Sequence, residues 1–341
     1  MRKRLLTVCV VLAGILLVSS GCGVTEAVPD SASVREETQA SDDRTRPASE
    51  DSQEYAFSVL EPEAAPLDED GMTERQIRAP KLHAPVYCIY APEQQQVLCG
   101  TSYEKETSMA STTKIMSALV FLEHGDLEAS TALSEAAVSV NRQEMDLKTG
   151  DRFSNQDLFR ALLVVSSNSA GVALAESAAG SEAAFVELMN EKAGELGLSH
   201  THYQNPHGLD APGHHTTALE LSKLTAYAFS FPEFRENVHV PKTEITTVDG
   251  EKTIPIQTTD LLIANKEDLP SDAPKWLRKF SDKGFRGGKT GMTLGAGYAF
   301  TGLYTYGGKD YILTEIGAPD EYSRWEDVRA MIRFVKEYCG E

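Results

Sequence analysis

Cysteine is scarce, five residues in 341. That is too few for a disulfide framework, and no Cys/His group has the spacing of a zinc site. Basic residues are outnumbered, 32 Lys and Arg against 51 Asp and Glu, for a net charge of −19. So acidic a chain opposes polyanions, which argues against nucleic acid and leaves neutral or locally selected partners. No internal repeat is present, and Gly and Pro stand at ordinary levels. The remainder, 41% hydrophobic and 24% charged, is a globular composition long enough for one large or two ordinary domains, which excludes a wholly disordered or fibrous chain.

The N-terminus carries Arg2, Lys3 and Arg4, then the apolar run Leu5 to Val18, then Ser19, Ser20 and Gly21. The apolar run is shorter than the roughly 20 residues of a spanning helix, so residues 1–21 are expected to be a secretory signal. Cys22 directly follows the small residues and resembles the lipobox of bacterial lipoproteins, although Ser19 stands where Leu is usual. Lipidation of Cys22, plain cleavage and an uncleaved anchor are the alternatives. Residues 22–79 are rich in Ser, Thr, Glu, Asp and Pro with almost no aromatics, and read as a disordered acidic linker.

Residues 80–341 form the expected folded domain. Val86 to Tyr90 and Gln96 to Cys99 read as a hairpin. If Cys88 faces Cys99 a disulfide can close, and two unpaired thiols are the alternative; Cys339 has no evident partner. Helical spacing covers Thr112–Leu122, Asn155–Val165, Ser169–Ala179, Ala183–Leu196 and Ala218–Ala228. Gly297–Tyr306 and Asp310–Ile316 read as adjacent strands, and Arg324–Tyr338 as a closing helix. Strands, a block of helices, strands and a last helix indicate α+β, an antiparallel sheet covered by helices with an inserted helical lobe.

Three short strings carry chemistry. Ser111 and Lys114, in Ala110-Ser111-Thr112-Thr113-Lys114, share one face at the start of an apolar helix, where a buried lysine can take a proton from a hydroxyl. Ser166 and Asn168 present a hydroxyl and an amide from a turn between helices. Lys289-Thr290-Gly291 offers a cation, a donor and close backbone approach. Each string has a duplicate: Ser102 to Lys105, Ser139 to Asn141, and Lys148-Thr149-Gly150, the last leading into a charged loop. His207, His214 and His215 lack triad or metal spacing and read as loop residues that position side chains. Glu187 to Asn190 lies inside a helix, which gives no support to a deacylating glutamate.

The ordered set of Ser-x-x-Lys, Ser-x-Asn and Lys-Thr-Gly is that of penicillin-binding proteins and serine β-lactamases. The chain resembles the D-alanyl-D-alanine carboxypeptidases, low-molecular-mass penicillin-binding proteins of serine peptidase family S11. Asn205-Pro206-His207-Gly208-Leu209, His214 to Ala218, and Gly288 to Met292 with Gly297-Tyr298 extend the likeness over roughly Pro85 to Tyr338. The resemblance implies a β-lactamase/transpeptidase-like fold and acyl transfer without metal or organic cofactor. It implies Ser111 as nucleophile, Lys114 as base and Ser166 as proton relay. Asn168, Lys289, Thr290, Gly291 and the Met292 N–H would bind substrate. Arg324 either faces the carboxylate pocket or is a solvated residue of the last helix.

The same resemblance implies peptidoglycan pentapeptide stems as substrates and β-lactam antibiotics as acylating inhibitors. It also implies an exported enzyme at the outer face of the bacterial cytoplasmic membrane. The β-rich C-terminal domain of many members is not expected, so membrane attachment is expected from the N-terminal end. A serine β-lactamase and a non-catalytic wall-binding or penicillin-sensing protein of the same fold are the alternatives. A cross-linking transpeptidase is disfavoured by the small body.

Overall fold

Every residue of strand β1 (Val86–Ala91) is buried. Val86, Cys88 and Tyr90 enter one apolar cluster, and Tyr87, Ile89 and Ala91 enter a second. Successive side chains of a strand point to opposite faces, so this strand must lie between two layers. The computed structural model of the protein describes residues 78–140 and 145–340. The signal segment 1–21, Cys22, Asn141 and all but the last two residues of the 22–79 linker lie outside the described residues.

From β1 the chain turns into β2 (Gln96–Thr101) and then enters a 3-10 turn, Ala110–Thr113, that continues as α1 (Lys114–His124). The inserted lobe follows, with β3 (Ser130–Ala132), α2 (Glu135–Ser139), β4 (Arg152–Ser154), α3 (Asn155–Val164), α4 (Asn168–Ala179) and α5 (Glu182–Glu195). Next come α6 (Ala218–Ala228), α7 (Pro232–Val238), β5 (Lys242–Thr246), β6 (Thr253–Gln257) and α8 (Lys275–Lys279). The sheet is completed by β7 (Phe285–Thr293), β8 (Gly297–Tyr306) and β9 (Lys309–Ala318), and α9 (Glu321–Cys339) closes the fold. The five-stranded order is β2-β1-β9-β8-β7, antiparallel throughout, which leaves β7 at an edge.

One cluster joins the sheet to α1 and the helices of the lobe, while the other joins its reverse face to α9. Trp325 of α9 is fully buried there, edge-on to Phe300 at 5.3 Å, a pairing worth about 1 kcal/mol beyond its burial. Helix starts are set locally. Ser154, Ser167, Ser181 and Thr217 each accept the N–H three residues on, about 1 kcal/mol apiece.

The hairpin register pairs Ile89 with Cys99 and Cys88 with Gly100. The two sulfurs therefore sit on opposite faces, in different clusters, and no disulfide joins them; Cys88, Cys99 and Cys339 are free thiols. One further expectation changes: the Lys148–Gly150 string is followed after Asp151 by strand β4 rather than by a charged loop. Ahead of β1, Ala79 and Leu82 pack on the α9 cluster, and the His83 and Ala84 N–H groups donate to Asp327. The β3/β4 and β5/β6 pairs went unread because they are short and bury few side chains, which leaves little hydrophobic period to detect.

Candidate active site

Ser111 lies in the 3-10 turn ahead of α1, one residue after Ala110, whose φ of 49° is left-handed. Lys114 begins the helix and is fully buried. Its Nζ donates to Ser111 Oγ at 3.0 Å, Asn168 Oδ1 at 2.7 Å and the His207 carbonyl at 2.6 Å, three uncharged oxygens. An amine aimed at a hydroxyl from within a buried setting is the arrangement a Ser/Lys nucleophile requires.

The Ser166-Ser167-Asn168 turn divides its labour. Ser167 caps α4 by accepting the Ala170 N–H, while Ser166 and Asn168 bond to Lys289 and Lys114 instead. Ser166 has φ 63°, a conformation costing a non-glycine residue on the order of 1 kcal/mol and concentrated at functional sites. Its Oγ accepts from Lys289 Nζ at 2.8 Å. Lys289 is also fully buried. Burial, then the charges of Lys114 and Arg324, hold its amine well below the ordinary lysine range, and Asp260 opposes them.

Strand β7 lies directly on the nucleophile turn. A Cβ placed on Gly291 would come 2.9 Å from Ala110 Cβ and 3.1 Å from the Ser111 nitrogen, so only glycine permits this approach. Thr290 Oγ1 is 2.5 Å from Thr259 Oγ1. Met292 and Leu294, at the end of β7 and just beyond it, are exposed. Asp210 fastens the β7–β8 turn, accepting from Thr293 Oγ1 at 2.8 Å and from the Gly295 N–H at 2.9 Å.

Arg324 is 3% exposed and not a solvated helix residue. Its guanidinium lies under β7 and β8, 3.4 Å from the Gly291 carbonyl oxygen and 3.5 Å from that of Ala299, and 3.3 Å from Glu321. The His-rich loop acts chiefly through its backbone. Asn205 Oδ1 accepts the Gly208 N–H, and a Cβ on Gly208, φ +88°, would stand 2.0 Å from the Ala110 oxygen. The loop thus delivers the His207 carbonyl to Lys114.

The His207 and His214 rings stay neutral. Burial, then the Lys114 charge, lowers His207 to about 3, and burial chiefly lowers His214 to about 4. His214 Nδ1 accepts the Gln204 N–H and its Nε2 meets Thr113 Oγ1 at 2.7 Å. Among the described residues no group of three His, Cys, Asp or Glu is arranged to hold a metal. The structure therefore brings together Ser111, Lys114, Ser166, Asn168, Lys289, Thr290 and Gly291. It adds the His207 carbonyl, Thr259 and Asp210, which the sequence reading missed. Only the Asn-Pro-His-Gly run carried a signal for the first of these, an Asn two residues before the turn it closes.

A family model described as D-alanyl-D-alanine carboxypeptidase, peptidase S11, matches residues 73–320. This chain belongs to that family. It is 32% identical over 270 residues to the D-alanyl-D-alanine carboxypeptidase DacD of Escherichia coli, covering 76% of this chain and 64% of that protein. Over 245 residues it is 28% identical to DacF of Bacillus subtilis, covering 70% and 59%. The chain thus spans less than two thirds of these relatives' length. The D-alanyl-D-alanine carboxypeptidase structure from Mycobacterium tuberculosis superposes with a TM-score of 0.65 at 26% identity, over 76% of this chain and 94% of that one. The Streptomyces K15 DD-transpeptidase, at 24% identity and TM-score 0.64 over 76% and 98%, shares the fold.

Proposed function

We propose that this protein is a serine-type D-alanyl-D-alanine carboxypeptidase that shortens peptidoglycan stem pentapeptides. Ser111 Oγ attacks the carbonyl carbon of the penultimate D-alanine while Lys114, in its neutral amine form, takes the hydroxyl proton. The peptide C–N bond breaks, and terminal D-alanine leaves with a proton passed through Ser166. Water then cleaves the Ser111 ester, which restores the hydroxyl and frees the shortened stem. Developing negative charge on the carbonyl oxygen meets the N–H groups of Ser111 and Met292, and donors held in place in advance lower such a barrier. Asn168 holds the acyl-side amide, Lys289 supports the relay, and Thr290 with Arg324 favours the terminal carboxylate. β-Lactams acylate Ser111 because their strained amide imitates the same dipeptide.

The observation that carries this reading is the double amine–hydroxyl contact, Lys114 to Ser111 at 3.0 Å and Lys289 to Ser166 at 2.8 Å. The net charge of −19 does not oppose it, since a stem peptide presents one carboxylate to a local pocket of cations. Residues 80–341 form the catalytic domain, and the protein works at the outer face of the cytoplasmic membrane. Residues 1–21 direct export, and Cys22 with the 22–79 linker supplies the tether. Among the described residues no helix is long and apolar enough to cross a membrane.

The test is release of D-alanine from an N-acylated peptide ending in D-Ala-D-Ala, run beside nitrocefin. Steady D-alanine release with slow nitrocefin turnover is expected. Fast nitrocefin turnover without D-alanine would make the protein a β-lactamase, and a folded chain inert to both would be a sensor or binding protein.

A further inference from the structure

Three buried cations surround strand β7: Lys114 on α1, Lys289 on the strand and Arg324 on α9. The Lys289 amine donates to Ser166 Oγ and to the Thr290 carbonyl, neither of them charged. The buried acid that faces this strand is Asp260, 1% exposed, in the turn that follows β6. Its Oδ1 accepts the Leu262 N–H at 2.9 Å and the Gly288 N–H also turns toward the carboxylate, while the Ile263 N–H donates to the Asp260 carbonyl at 3.2 Å. Its Oδ2 has no partner among the described residues. A Cβ on Gly287 would stand 3.7 Å from that oxygen, so the carboxylate lies beneath the Gly287-Gly288 bulge that precedes Lys289. One residue earlier in the turn, Thr259 bonds Thr290 at 2.5 Å. The Thr259-Asp260 pair thus brackets Lys289 on both sides along the strand.

We propose that Asp260 is a positioning residue for Lys289: its carboxylate anchors the glycine bulge that carries the lysine into the site and sets a buried negative charge among the cations around that strand. The catalytic meaning of this pairing rests on the proposed carboxypeptidase reading. A buried carboxylate with an empty lone pair is retained at a cost unless a nearby cation uses its charge.

The groups facing Asp260 from neighbouring elements are consistent with that use. Arg324 of α9 is the charge that favours its ionised form, and Lys289 of β7 is the amine whose charge it supports. His239, after α7, is exposed and directs Nδ1 to the Arg286 carbonyl at 3.3 Å. Glu315 of β9 is fully buried with both oxygens unpartnered, but among these cations it acts on Arg324 and not on Lys289. Burial pushes Asp260 up to about 7. Burial lowers Lys289 as it raises Asp260, which brings the two titrations toward one another.

The test is a 13C NMR titration of the full chain with labelled Lys Cε and Asp Cγ, the Lys289 signal assigned by its loss in Lys289→Arg. In Asp260→Asn the Lys289 midpoint is expected to fall by about one pH unit or more. The alkaline limb of β-lactam acylation should move the same way. Glu315→Gln should move neither. A folded Asp260→Asn with an unchanged midpoint, or an equal shift in Glu315→Gln, overturns the proposal.

Should Asp260→Asn fail to fold, the wild-type chain decides. Shared inflections of Asp260 Cγ and Lys289 Cε support the pairing, and independent inflections overturn it. A wild-type chain that resists β-lactams yet shows the shared inflections would remove the carboxypeptidase reading while leaving the pairing in place.

Discussion

The same string, Ser-x-x-Lys, occurs twice within thirteen residues and meets opposite fates. Ser102 and Lys105 follow the end of β2 and are exposed. Ser111 and Lys114 open a helix whose apolar face enters the core, and that lysine is wholly buried. The Lys-Thr-Gly strings repeat the contrast. Lys148-Thr149-Gly150 is exposed, and a Cβ on Gly150 would meet nothing within 4 Å, whereas Lys289-Thr290-Gly291 is buried with Gly291 pressed on Ala110. Identical side chains acquire different chemistry from desolvation and from the neighbours that the fold supplies.

Substituting matched residues in the two regions sharpens that contrast. The largest effect is expected for Ser111→Ala, which should lower β-lactam acylation by roughly 10⁴-fold or more, as removal of a nucleophile does. Ser102→Ala should leave the acylation rate unchanged. Stopped-flow acylation checks both, and equal losses would erase the distinction between the strings. Next is Lys114→Met, expected to slow acylation by about 10²–10⁴-fold, the usual worth of a positioned base, against no change for Lys105→Met. Gly291→Ala comes third. Its methyl must displace Ala110 or the Ser111 backbone, and a misplacement of this order costs about 10²-fold. Gly150→Ala has open space but φ +92°, so denaturant melts should show about 1 kcal/mol of lost stability with activity intact.

The smallest expected effect concerns histidines on one loop. Burial holds His214 at about 4, below its free value of 6.5. A depressed folded value means the neutral ring is favoured by folding. This stability is complete above about pH 6.5 and drains as pH falls toward about 4. His200, fully exposed, is raised by its hydrogen bond to Glu106 and has the opposite sign. The fall in melting temperature from pH 7 to pH 4 should therefore shrink by about 3–5 °C in His214→Gln and not in His200→Gln. Equal pH profiles for the two variants would show that burial of His214 is not what matters.

Legibility in the sequence followed the strength of the local signal. The long elements were readable because α1, α3, α5, α6 and strands β1, β2, β8 and β9 bury apolar side chains in a regular pattern, and the cap Ser167 sits where a helix start was expected. Ser111, Lys114, Ser166 and Lys289 were readable as an ordered set. Their convergence was not, because it depends on the edge position of β7 and on the Asn205 to Gly208 turn, both long-range facts. The His207 carbonyl could not be read because a backbone oxygen has no side-chain signature. Asp260 and Glu315 were unreadable for a related reason, since nothing local distinguishes a buried acid from a solvated one. Arg324 was open in the sequence and proves buried beneath the strand. The Cys88–Cys99 question was decided by a single step of register.

The most direct measurement is mass spectrometry of a tryptic digest after incubation with a penicillin. Cleavage after Lys81, Lys105 and Lys114 separates the two serines onto different peptides, Leu82 to Lys105 and Glu106 to Lys114. The expected result is a single covalent adduct on the Glu106 to Lys114 peptide that disappears in Ser111→Ala. An adduct on the Leu82 to Lys105 peptide, or an unlabelled folded protein, would contradict the assignment of Ser111 as the nucleophile.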